Sequence, residues 1–73
     1  MSDSTMGPVS YQCAEFLGMQ VALAVCESAA GFYLGAVSPT EGPLARDSAE
    51  YFATREEAQA ALASGSWTQR MTP

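Results

Sequence analysis

The stretch from Gln20 to Cys26 carries the clearest hydrophobic pattern in the chain. Val21, Leu23 and Val25 alternate with Ala22, Ala24 and Cys26, so a strand here has one large apolar face and one small apolar face. A strand apolar on both sides needs cover on both sides. Glu27 to Gly31 then supplies a polar, small-residue turn, and Phe32 to Val37 resumes as a strand rich in aromatic and branched residues. Together these predict a hairpin. A helix across 11–30 is the rival reading, because Ala, Leu, Met and Glu are good helix formers.

Upstream, the pattern is mixed. Val9, Tyr11 and Cys13 alternate with Ser10 and Gln12, which suits a strand. Ala14, Glu15, Leu17 and Met19 suit a helix that Ser10 would cap. Gly18 interrupts any long helix, which tips Val9–Leu17 toward strand. Downstream, Ser38–Pro43 reads as a loop with two prolines and a glycine. Leu44 to Ser48 then leads into a third strand around Ala49–Ala53.

The helix signal is local and strong. Thr54-Arg55-Glu56-Glu57 forms a capping box in which Thr54 accepts from the Glu57 N–H and Glu57 reaches back to the Thr54 N–H. Glu56 and Glu57 also sit at the positive end of the helix dipole. Ala58, Ala61 and Leu62 give an apolar stripe, and Gly65 suits the left-handed position that ends a helix. Trp67, just beyond, is expected to fold back and close the core. The expected fold is α+β: an antiparallel meander of three or four strands followed by one short C-terminal helix packed on one face. The domain spans 8–70, with flexible tails at 1–7 and 71–73.

Composition narrows what such a domain can do. At 73 residues a lone core is marginal, and small domains add a disulfide, a metal or a partner subunit. The chain has no histidine and two cysteines, which leaves too few ligands for a zinc site. The N-terminus lacks the basic and apolar regions of a secretory signal, so a cytoplasmic setting with reduced thiols is expected. A homodimer is then the expected staple. Its candidate face is the small apolar one, Ala22, Ala24 and Cys26, left without cover if the helix takes the other side. The longest uncharged runs, Phe16–Cys26 and Ser28–Thr40, are too short to span a membrane.

The missing bases remove most enzyme chemistry. All three basic residues are arginines, at 46, 55 and 70, and the net charge is −5. Without histidine or lysine, a Ser-His-Asp triad, a Cys-His pair, a Ser-Lys dyad, a P-loop and a Schiff base are all excluded within one chain. No cofactor is implied. Scattered arginines form no basic stripe, so direct nucleic-acid binding is not expected. Glu56 and Glu57 are explained by capping, and Glu41, Asp47 and Glu50 lack the spacing of a calcium loop. Both cysteines read as small core residues.

What remains is a surface for another protein. In each adjacent pair, Phe32/Tyr33 and Tyr51/Phe52, one ring must face away from the other in a strand. Tyr and Arg are the residues enriched where proteins bind one another. The candidate contact residues are therefore Tyr33, Glu41, Arg46, Asp47, Glu50 and Tyr51, with Arg46 beside Asp47 on a projecting loop.

The region from Phe32 to Trp67 carries Gly42-Pro43, the aromatic pair Tyr51-Phe52, and Thr54-Arg55-Glu56-Glu57-Ala58 opening a short helix. In this it resembles small accessory proteins of phages and mobile elements, of the anti-CRISPR or host-inhibitor type. The resemblance covers about half the chain and carries over no functional residue. It implies a non-enzymatic protein that binds and blocks a larger one. The alternatives are a self-associating assembly subunit and a small-molecule binder.

Overall fold

A computed structural model of the chain describes residues 8–72. The expected tail at 1–7 lies outside the described residues, as does Pro73. Three strands form one antiparallel sheet in the order β1-β2-β3: β1 is Ala24–Ser28, β2 Gly31–Ser38 and β3 Gly42–Arg46. One helix, α1 (Arg55–Ser64), follows and packs on one face. This is the α+β meander with a short C-terminal helix that the sequence predicts.

The β1–β2 hairpin turns through Ala29 and Ala30, with Ser28 opposite Gly31. Gly31 has a φ of +130°, and a Cβ there would sit 2.9 Å from the Phe52 carbonyl oxygen. Glycine is thus needed both for the turn and for the antiparallel bridge between Phe32 and Phe52 beside it. Paired residues Val25 and Leu34 share the face that meets α1. Leu34, Ala58 and Ala61 form the buried centre, with Val25, Phe32, Phe52, Leu62 and Trp67 around it. Trp67 closes the core from just beyond the helix.

Helix α1 forms as its local chemistry directs. Thr54 is the N-cap and its side chain accepts from the Glu57 N–H at 3.1 Å. The return bond of the box goes one residue further back than expected: Glu57 Oε1 accepts from the Ala53 N–H at 3.2 Å. Gly65, at φ +76°, donates its N–H to the Ala61 carbonyl and ends the helix.

Two expected elements are corrected. The segment Val9–Leu17 is not a strand: only Val9 pairs, bridging Ala22, and the chain then enters a helical turn whose last part, Cys13–Leu17, is a π-helix. Ser10 caps that turn, its Oγ accepting from the Cys13 N–H at 3.0 Å and its carbonyl from the Ala14 N–H. Side-chain capping therefore outweighs the short alternation.

The third strand is Gly42–Arg46, not Ala49–Ala53. Pro43 is accommodated because β3 is an edge strand, and its register shifts by a bulge opposite Ala36/Val37. Beyond Arg46 the ladder is completed irregularly. The Asp47 and Ser48 N–H groups both donate to the Leu34 carbonyl, and Ser48 Oγ accepts from the Leu34 N–H. Of the predicted third strand, only Phe52 makes a bridge, to Phe32.

Candidate functional site

The sheet face opposite α1 carries Ala24, Cys26, Tyr33 and Gly35, since Cys26 pairs with Tyr33 and Ala24 with Gly35. Gly35 has no side chain because none fits. A Cβ there would overlap the Ala45 carbonyl oxygen and lie 3.0 Å from Tyr33 Cε2. The Tyr33 ring therefore lies against bare backbone and is buried. Tyr51 meets it edge to face, with ring centroids 6.1 Å apart and planes at 79°. The Arg46 guanidinium carbon stands 4.7 Å from the Tyr51 ring centroid. Arg46 Nη1 also donates to the carbonyls of Ser48, at 2.9 Å, and Ala49, at 3.2 Å. The result is a stack of three side chains held at both ends, with Tyr51 still 45 % exposed.

The other candidate residues are placed differently. Glu41 lies in the β2–β3 turn, where its N–H donates to Ser38 Oγ. It is at the opposite end of β3 from Arg46, about 16 Å away along the strand. Glu50 reaches along the surface to the C-terminal segment, both carboxylate oxygens accepting from the Thr68 N–H at 3.0 Å. Those hydrogen bonds hold its carboxyl below the ordinary glutamate value of 4.5.

Asp47 is corrected outright, because it is fully buried. Its Oδ1 accepts from Ser10 Oγ at 2.6 Å, and its Oδ2 accepts from the Gln12 N–H at 3.0 Å and from Gln69 Nε2 at 2.9 Å. Its own carbonyl accepts from the Arg70 N–H. Asp47 thus joins the N-terminal turn, β2 and the C-terminal segment, and offers nothing to a partner. Gln12 adds to the same junction, donating from Nε2 to the carbonyls of Arg70 and Thr72. The C-terminal residues expected to be loose are tied down at least as far as Thr72.

The expected dimer face is altered by Tyr33. Ala24 and Cys26 are half-buried beside that ring, and Ala22, two residues before β1 begins, is exposed at the bridge to Val9. Burial pushes the Cys26 thiol above its ordinary value, against the opposing hydrogen bond with Tyr33. The same burial raises the Tyr33 hydroxyl. Both cysteines are free thiols.

Sequence reasoning missed a second feature. A groove of about 260 Å³ opens between the Cys13–Leu17 turn and β3. Its apolar wall is Phe16, Leu17, Leu44 and Ala45, and Gln12, Arg46 and Arg70 complete the lining. The run Phe16-Leu17-Gly18-Met19 was the available signal, because all three large side chains are more than 40 % exposed.

Among the described residues, no three His, Cys, Asp or Glu side chains converge to hold a metal ion, and no helix is long and apolar enough to cross a membrane. Compared with protein-family models, curated proteins and solved structures, the chain matches none.

Proposed function

We propose that this chain is a non-enzymatic protein-binding module that binds and blocks a larger protein, as host inhibitors of phages and mobile elements do. The reading rests on the Tyr33–Tyr51–Arg46 stack. Aromatic and arginine side chains dominate protein interfaces because they bury large areas at a small cost in conformational freedom. Here that cost is lowered further, since Arg46 is pinned by two carbonyls and Tyr51 by two neighbours before any partner arrives. The cytoplasmic setting belongs to the same proposal, and the two free thiols fit it.

Affinity capture from a host lysate tests the proposal, with wild-type chain and a Tyr51→Ala variant compared side by side. Tyr51 is half-exposed, so its removal leaves the fold intact. Wild type is expected to retain one protein in near-stoichiometric amount, and the variant to bind it roughly thirtyfold more weakly, as for an interfacial tyrosine worth about 2 kcal/mol. The captured protein, once purified, should lose activity on addition of the chain. No retained protein, or equal retention by the variant, rejects the proposal.

A further inference from the structure

The groove beside β3 differs electrostatically from the rest of the chain. Acids outnumber bases eight to three in the sequence, yet the lining holds two of the three arginines and no carboxylate. Arg70 is held in place by a single side-chain hydrogen bond among the described residues, from Nη1 to the Arg46 carbonyl at 2.9 Å. A guanidinium is a planar fork of five donors matched to a carboxylate. Most of the Arg70 fork therefore remains for a ligand. Beside it, Phe16 and Leu17 present apolar surface that is 41 % and 49 % exposed. Apolar wall and cationic end together select a ligand that is both apolar and acidic.

Size favours a protein segment over a free small molecule. The groove, at about 260 Å³, falls below the range of roughly 300–1,000 Å³ typical of small-molecule sites. It accommodates one large side chain. It also meets the Tyr51 stack through Arg46, which takes part in both. We infer that the groove seats a linear segment of the partner in which a large apolar residue stands next to an acidic one. The apolar side chain enters between Phe16, Leu17 and Leu44, and the carboxylate meets the Arg70 fork. This inference rests on the protein-binding reading and adds the partner's chemistry to it.

The test is a titration of the isotope-labelled 73-residue chain, followed by NMR, with capped hexapeptides carrying Phe or Leu next to Glu or Asp. Saturable shifts are expected at Gln12, Phe16, Leu17, Leu44 and Arg70, with dissociation constants of about 0.1–1 mM for so short a ligand. Changing the peptide's acid to its amide should weaken binding about tenfold, and Arg70→Gln should abolish that difference. Leu17→Glu, at a half-exposed position that leaves the fold intact, should weaken the acidic peptide by at least as much.

No shift with any peptide, or equal binding of acid and amide forms, overturns the inference. So does an equal response to phenylacetate, which would make the occupant a small carboxylate. Shifts at the same residues that grow with protein concentration alone would make it a second copy, and overturn it too. Lysate capture that depends on Tyr51 alongside silent peptides leaves the protein-binding reading standing and removes only the groove. Empty capture rejects the protein-binding reading and overturns this inference with it, even where a peptide binds.

Discussion

Asp47 illustrates how far one side chain's role depends on residues remote in sequence. Its carboxylate accepts from Ser10, Gln12 and Gln69, the first of them 37 positions away. Each buried donor left without an acceptor costs about 1–3 kcal/mol. Asp47→Ala strands the two buried ones, Ser10 Oγ and the Gln12 N–H, while Gln69 Nε2 keeps the Arg70 carbonyl at 3.0 Å, so the expected destabilisation is roughly 2 kcal/mol or more. For a chain of 73 residues with a total stability of about 4–11 kcal/mol, that is a large share. Urea unfolding of wild type and variant, compared at their midpoints, measures it. A loss under about 0.5 kcal/mol, the size of an ordinary surface substitution, would mean the junction is not closed as described. Nothing in the sequence distinguishes Asp47 from the chain's other acids, because its partners are assembled only by the fold. Tyr51 and Arg46 stand out in the sequence by residue type, but their stacking does not, since it depends on where the chain turns after β3.

The elements differ in how local their causes are. Helix α1 is specified within its own residues: Thr54 and Glu57 start it, Ala58 and Ala61 orient it, and Gly65 stops it. The β1–β2 hairpin is partly local: its alternation leaves a helix across 11–30 open, and the strand expected at 20–26 forms at Ala24–Ser28, turning at Ala29 and Ala30 rather than over Glu27–Gly31. The first helical turn and β3 are not. Alternation over five residues at Val9–Cys13 was outweighed by the Ser10 cap, and Pro43 was accepted because β3 lies at the sheet edge. Gly35 shows what the sheet demands where β2, β3 and Tyr33 converge. Gly35→Ala has no strained φ to contend with, yet its methyl would overlap the Ala45 carbonyl oxygen and approach Arg46 Cα to 3.1 Å. The strands must separate or Tyr33 must lift, at an expected cost of roughly 2 kcal/mol or more. A thermal unfolding scan reads that loss, and near-ultraviolet circular dichroism reads the disturbed Tyr33–Tyr51 pair. An unchanged spectrum would show that Tyr33 does not rest on Gly35.

In the molecule as a whole, the C-terminal segment acts as a clasp over the N-terminal turn and the loop after β3. Glu50 fastens it at Thr68, Asp47 at Arg70, and Gln12 at Arg70 and Thr72. The Glu50 fastening gives the clasp a pH dependence. Its carboxyl lies below 4.5 in the fold, so the stability it contributes is fully present above that value and is lost as pH falls through the lowered one. Glu50→Gln should therefore reduce the difference in urea midpoint between about pH 6 and about pH 3, by a modest amount because the group is largely exposed and screened. An identical pH difference in the variant would place the acid sensitivity elsewhere.

Charge is also organised only by the fold. Cations are absent before Arg46 in the sequence, yet Arg46 and Arg70 come to line a groove whose other wall, Phe16 and Leu17, comes from that cation-free half. The α+β class, α1 with both its caps, and the lack of histidine and lysine were decided within the sequence, because each depends on neighbours a few positions apart or on composition. The burial of Asp47, the helical start of the domain, the place of β3, the Tyr33–Tyr51–Arg46 stack and the groove were decided only by tertiary structure. Each of these depends on hydrogen-bond partners and close approaches between residues distant in the chain, and no local pattern encodes them.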